Sequence, residues 1–196
     1  THGKIDQFEI NGDLVELSVS FNVDKKLSPF KNSGIFINGT VYTTKSIPNF
    51  SGTKRVLGDV LQNGKVPDDY YILPEDYPKW EYLKGAKKET RKTGAGFEYD
   101  YSEGGMIFPD NLDNASRTII TGEGGKTPSR FKHAIQTPKG LRRLTPVELE
   151  RLNMFPDDHT KLEGVTDAKR AFFMGNALVV DVITRIGKTL INKNKL

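Results

Sequence analysis

Hydrophobic residues in this chain recur with two different periods, and the change comes near residue 141. Over 14–23 the apolar positions Leu14, Val15, Leu17, Val19, Phe21 and Val23 largely alternate with polar ones. A two-residue period puts alternate side chains on one face of an extended chain, so a half-buried strand is predicted. Residues 34–42 read as two short strands about Asn38-Gly39, a dipeptide that accepts the backbone of a tight hairpin turn. Residues 56–61 suit one or two helical turns. The stretch 66–80 sets Pro67, Pro74 and Pro78 among Tyr70, Tyr71, Ile72, Leu73 and Trp80. Such a segment wraps a surface with its aromatics tucked in, and Tyr99 and Tyr101 are likewise expected in the core. From 83 to 140, glycine, charge and single aromatics mix without a period, which predicts loops on a β scaffold.

After residue 141 the pattern turns helical. Thr145-Pro146-Val147-Glu148 is a capping box with proline at the first helical position. That helix is expected to run to about Met154 and stop before Pro156. A last helix carries Val179, Val182, Ile183, Ile186 and Leu190 on one face and is expected to open just after Gly175-Asn176. The reading is an α+β chain: a small β-rich domain over 1–140, then a helical segment over 141–196.

Composition narrows the classes of function. The 196 residues are 36% hydrophobic and 28% charged, with no cysteine, and the mean hydropathy is −0.52. Disulfides, a thiolate zinc site and a thiol nucleophile are excluded within these residues. Three scattered histidines, His2, His133 and His159, make a metal site unexpected. No apolar run approaches the roughly 18 residues of a membrane span, so no membrane partner is expected. The start, Thr1-His2-Gly3-Lys4, lacks the character of a signal peptide and lacks Met, which suggests an excised segment.

The net charge is +4, and its distribution points to an anionic partner. From Gly124 to Arg143 there are six basic residues, Lys126, Arg130, Lys132, Lys139, Arg142 and Arg143, and no acid. Lys84, Lys87, Lys88, Arg91 and Lys92 form an earlier cluster with one acid, Glu89. Two basic, glycine-containing segments on a small domain fit a phosphate-backbone footprint. The candidate for base readout is the loop Thr121-Gly122-Glu123-Gly124-Gly125-Lys126 with Arg130. Glycine admits close backbone approach and arginine pairs with a guanine edge. Arg117 and Thr118 precede the loop and are expected on the same DNA edge. Lys84, Lys87, Lys88, Arg91 and Lys92 are expected on phosphates, and His133 is a weaker candidate. A nucleotide P-loop is rejected because no Gly-Lys-Ser/Thr follows at the required spacing.

The string from Arg142 through Leu144-Thr145-Pro146, Glu148 and Phe155-Pro156-Asp157 resembles the ninth motif of the cytosine-C5 DNA methyltransferases. About twenty residues later, Met174-Gly175-Asn176-Ala177-Leu178 resembles their tenth motif, and Ser116-Arg117-Thr118-Ile119 resembles an element late in their target-recognition domain. The resemblance implies an enzyme that flips cytosine from duplex DNA, attacks C6 with a Pro-Cys thiolate and methylates C5 from S-adenosylmethionine. It implies that Asn176, Ala177 and Leu178 face that cofactor, and that Arg143 and Glu148 belong to a structural cap. The family's Pro-Cys, Glu-Asn-Val, Gln-x-Arg-x-Arg and early glycine-rich cofactor loop are absent from the chain. Expected, then, is a target-recognition domain plus helices that complete an α/β methyltransferase domain absent from this chain. Alone it would be inactive and would bind S-adenosylmethionine weakly or not at all. Its partners would be double-stranded DNA and an N-terminal catalytic domain or subunit, in a bacterial cytoplasm. A natural split subunit and a non-catalytic DNA-binding module remain alternatives.

Overall fold

The structure is a computed structural model and describes residues 3–20, 29–48 and 50–193. It divides into two compact units, Thr1–Thr53 and Lys54–Leu196. The first is built on an antiparallel sheet of strand order β1-β3-β2, from β1 (Asp6–Glu9), β2 (Ser33–Ile37) and β3 (Thr40–Thr44). The expected Asn38-Gly39 turn joins β2 to β3, with φ of 48° and 82°. Both centres of this hairpin turn need positive φ, which is why the pair is Asn-Gly. The strand expected over 14–23 is not formed. Leu14–Ser20 is helix α1, and Phe21 and Val23 lie outside the described residues. The apolar positions also satisfy a helical spacing, with Val15 four residues from Val19. Asp13 tips the balance: its carboxylate accepts the Val15 N–H at 2.7 Å and its carbonyl the Leu17 N–H at 3.0 Å.

The second unit contains α2 (Tyr77–Lys84), the ribbon β4 (Lys87–Lys92) and β5 (Glu98–Glu103), and the ribbon β6 (Ile135–Thr137) and β7 (Gly140–Arg142). Helices α3 (Pro146–Leu152), α4 (Asp167–Asn176) and α5 (Val180–Lys193) follow. As expected, 56–61 holds a single 3-10 turn, Leu57–Val60, with both terminal residues buried. The 66–80 segment does tuck in Tyr70, Ile72 and Trp80, while Leu73 faces out. Tyr99 is 41% exposed, against the expectation of a core position. The β4–β5 ribbon lies where only loops were expected. Its strands are charged on both faces, so hydrophobic periodicity had nothing to report.

One core gathers Leu57, Val60, Ile135, Leu144, Leu149 and Met174. Residues on both sides of 141 therefore share it, so the change of period there does not mark a break in packing. Helix α3 begins with the expected capping box: Thr145 Oγ1 accepts the Glu148 N–H at 3.3 Å, and the Glu148 carboxylate accepts the Thr145 N–H at 2.9 Å. It ends at Leu152, where Met154 enters the left-handed region at φ 64°. The basic partner of Glu148 is Arg142, through bonds of 2.7 and 2.6 Å. Gly175 and Asn176 form the last turn of α4 and do not open α5. Along α5 the apolar face stands open as expected: Val182 is 52% exposed, Ile186 52% and Leu190 59%.

Arg142→Met leaves the Glu148 carboxylate charged at 0% exposure without its counter-ion. Urea unfolding is expected to show a loss of about 3–5 kcal/mol. A loss under about 1 kcal/mol would mean the backbone donors suffice to hold that charge.

Candidate functional site

The glycine loop expected to read bases is seated on α4, and glycine is required there by packing. A Cβ on Gly124 would stand 2.6 Å from Ala168 Cα, and one on Gly175 would stand 2.4 Å from Thr121 N. Gly122 is open by comparison, with its nearest neighbour at 3.6 Å. The loop's acid turns inward. Glu123 is 2% exposed, takes the His133 N–H at 3.0 Å and sits 2.7 Å from His133 Nδ1. A carboxylate beside Nδ1 fixes that nitrogen as donor, which leaves Nε2 for the Ser116 hydroxyl at 3.0 Å. His133 has 0% exposure and so is not a phosphate contact in this conformation.

Most of the basic stretch is also turned inward. Arg117, expected on DNA, donates to both Asp110 oxygens at 2.7 and 3.0 Å and to the carbonyls of Phe131 and Lys132. Arg130, expected on a base, donates to the carbonyls of Leu83 at 3.3 Å and Gly85 at 3.1 Å, to Gly104, and pairs with Glu103 at 3.1 Å. Lys132 bonds the Gly125 and Thr127 carbonyls at 2.8 and 2.7 Å. Arg143 reaches the Gly124 carbonyl at 3.2 Å and the Asp69 carbonyl at 2.7 Å. A guanidinium at a loop closure meets carbonyls that no strand or helix has satisfied, and it stays there because burial without them is costly. Lys126 and Lys139 stay exposed, paired with Asp69 and Asp68.

Within the earlier cluster, Lys84 is buried at 1% exposure. Its ammonium lies 3.7 Å from Asp110 and over the Trp80 and Phe108 rings. Burial pushes it down to about 8 against the upward pull of Asp110. Burial alone would raise the Asp110 carboxyl, but Arg117, the Ala134 N–H and Lys84 outweigh it and hold it below the usual value. On β4, Lys87 pairs with Glu103 at 3.4 Å, and Arg91 pairs with Glu89 while lying 3.4 Å from the Tyr101 ring centre. Lys88 is exposed on the opposite face of the ribbon.

The turn after α4 borders a cavity of about 310 Å³ whose wall includes Thr118, Ile119, Asn153, Gly175, Ala177 and Val179. Of the three residues expected to face a cofactor, Ala177 lines it. Asn176 turns its amide back to the Phe172 carbonyl at 3.0 Å, and Leu178 is 68% exposed. Arg117 and Thr118 border this cavity as well, so they lie beside the α4 turn.

The description C-5 cytosine-specific DNA methylase matches residues 19–192. The chain belongs to that family. It is 38% identical over 187 residues to the Type II methyltransferase M.Sau3AI of Staphylococcus aureus, covering 95% of this chain and 43% of that protein. It is 27% identical over 148 residues to M.HpaII of Haemophilus parainfluenzae, covering 69% and 38%. The chain thus spans well under half the length of these curated relatives. Its fold is similar to that of the Entamoeba histolytica methyltransferase EhMeth, with TM-score 0.53 at 13% identity, covering 100% of this chain and 55% of that one. S. pombe Dnmt2 methyltransferase gives 0.52 at 14%, covering 80% and 51%.

Within this family chain, the ninth-motif residues do structural work: Asp157 takes both bonds from Arg151, at 2.7 and 2.6 Å. The sequence reading missed Glu123, Asp110 and Glu150 as organisers. Glu150, with 0% exposure, takes the Thr160 N–H and Arg170, each at 3.0 Å. An acid gives no periodic signal of being buried; the surplus of nearby basic residues was the available clue.

Two measurements test this arrangement. Gly175→Ala is expected to lose about 1–3 kcal/mol by overpacking against backbone, whereas Gly94→Ala, with nothing within 4 Å, leaves the melting temperature nearly unchanged; equal effects would defeat the packing argument. For Lys84, the folded chain gives up its proton near pH 8 while the unfolded one holds it to about 10.5. Stability is therefore expected to rise with pH across that window, because the unfolded chain binds more protons. Lys84→Met should remove that rise, and an unchanged profile would contradict it.

Proposed function

We propose that this chain supplies the DNA-recognition surface and closing helices of an enzyme that methylates C5 of cytosine in duplex DNA, and that alone it transfers no methyl group. One observation carries the reading: a family match over 19–192 in a chain with no cysteine. Addition to C6 of a flipped cytosine needs a thiolate, and nothing here replaces it. The open apolar face of α5 supports a second body that completes the enzyme, since contiguous apolar surface marks an interaction site. In this reading 1–140 recognises DNA and 141–196 returns the chain to the catalytic layer.

S-adenosylmethionine, when bound, supplies the electrophilic methyl group. Toward it this chain offers one wall: Ala177 and Val179 beside Ile119, with Asn176 and Leu178 at the exposed edge. One wall buries too little of a ligand for tight binding, so affinity in this chain alone is weak. Toward DNA, the exposed Lys88, Lys126, Thr118 and Gly122 are the contacts. Arg117 and Arg130 hold the surface in shape, with Gly124 and Gly125 closing the loop beneath it. Lys87 and Arg91 brace the ribbon, and duplex DNA in a bacterial cytoplasm is the partner.

Binding to a labelled duplex should weaken steeply with salt, with log K falling by about 0.9 per neutralised phosphate for each unit of log salt. Flat dependence would sink the basic surface. Tritium transfer from S-adenosylmethionine to DNA should be absent with this chain and appear when a cysteine-bearing catalytic half is added. Transfer by the chain alone would sink the reading.

A further inference from the structure

The β4–β5 ribbon enters the proposed role only through Lys88 and its braces Lys87 and Arg91, and its tip is given no part. Its tip, Thr93-Gly94-Ala95-Gly96-Phe97, is closed by the Thr93 N–H on the Phe97 carbonyl and the Gly96 N–H on the Thr93 carbonyl, each at 2.9 Å. A Cβ at Gly94 or Gly96 would meet nothing within 4 Å, so the tip stands clear of the body. Phe97 is 69% exposed there. No acid occurs from Thr90 to Phe97, while Arg91 and Lys92 do. On one face Lys88, Thr90 and Lys92 lie opposite Ser102, Asp100 and Glu98. Lys92 pairs with Glu98 at 2.8 Å and Thr90 with Asp100 at 3.1 Å; Lys88 has no ion-pair partner among the described residues. The ribbon is fixed at its base. Arg130 ties Leu83, Gly85, Gly104 and Glu103 together, Lys87 adds the Leu83 carbonyl at 3.2 Å, and the Met106 N–H meets the Lys84 carbonyl at 2.8 Å.

We propose that this ribbon enters the major groove of duplex DNA, with Lys88 on a phosphate and the Phe97 ring against a thymine methyl group. The inference rests on the DNA-recognition role above and names a residue that sets its specificity. A groove about 12 Å wide admits a two-stranded ribbon, and the thymine methyl is the apolar group it presents. A narrow tip with an exposed aromatic ring fits that chemistry: Lys88 follows the backbone and the ring reads the floor, while Arg91 and Lys92 are held by Glu89 and Glu98. The fixed base matters because a swinging ribbon would lose its orienting contacts to entropy.

The test selects duplexes from a pool with a randomised core, using this chain, Phe97→Ala and Lys88→Gln. Phe97→Ala is expected to relax the choice at one or two thymines, with affinity for the selected site down about 5- to 10-fold. Uracil, which pairs alike but lacks the methyl, should weaken the unaltered chain by a similar factor at those positions and leave Phe97→Ala unaffected. Lys88→Gln should weaken all sequences alike and lower the salt slope by about 1. Phe97→Ala selecting the same sites with equal affinity overturns the proposal, as does equal weakening on thymine and uracil DNA. Failure of the unaltered chain to select any sequence sinks the recognition role itself.

Discussion

The Glu148 carboxylate, at 0% exposure, accepts four hydrogen bonds. Two come from Arg142 at the end of β7, one from Thr145 at the start of α3 and one from the Gln62 N–H beyond the 3-10 turn. Two stretches of chain, the β7–α3 junction and the segment at Gln62, 86 residues from Glu148, are fixed around one side chain. A buried carboxylate so fully bonded adds little net stability, since desolvation offsets the attraction, but it makes any other arrangement of those pieces costly. The core of Leu57, Ile135, Leu149 and Met174 then closes on a frame already in register.

The same device recurs at Glu150, which collects Thr160 and Arg170, and at two further acids. Asp110 collects Arg117, Lys84 and the Ala134 N–H, and Glu123 collects His133 through its ring and backbone. A stretch that looks like a continuous positive surface in one dimension becomes, in three, a set of cations spent on internal oxygens. This has a consequence for DNA recognition in the methylase family. In the proposed DNA-recognition role, phosphate contact would fall to exposed cations such as Lys88, and Lys126 beside its Asp69 partner, while the interior charges make the loops stiff. Stiffness favours sequence reading, because less conformational entropy is lost on contact.

What was legible in the sequence divides along physical lines. The capping box, the Asn38-Gly39 turn and the apolar face of α5 were readable because each depends on neighbours within one turn of chain. The family was readable from spaced motifs. The helix at Leu14–Ser20 was not, since its short apolar pattern satisfies both periods and Asp13 decides by a local cap. The β4–β5 ribbon was hidden because its strands pair by charge and bury little. The internal partners of Arg117 and Arg130 were not legible because sequence shows the charge and not the carboxylate or carbonyls that meet it. That Arg142 meets Glu148 while Arg143 meets the Gly124 and Asp69 carbonyls reflects strand alternation, since adjacent residues point to opposite faces.

Gly124 and Gly175 carry the last step. Both are tight because α4 lies against the segment from Ile120 to Gly124 with backbone touching backbone. At its far end α4 carries Ala177, which lines the cavity shared with Thr118 and Ile119. Close-packed backbone has no soft side chain between its parts, so a shift of the glycine loop cannot be absorbed locally and must move the helix with it. A side chain at either glycine would have separated the loop from the helix by about the width of a methyl group. Their absence makes the glycine loop and the turn beside the cavity parts of one rigid piece.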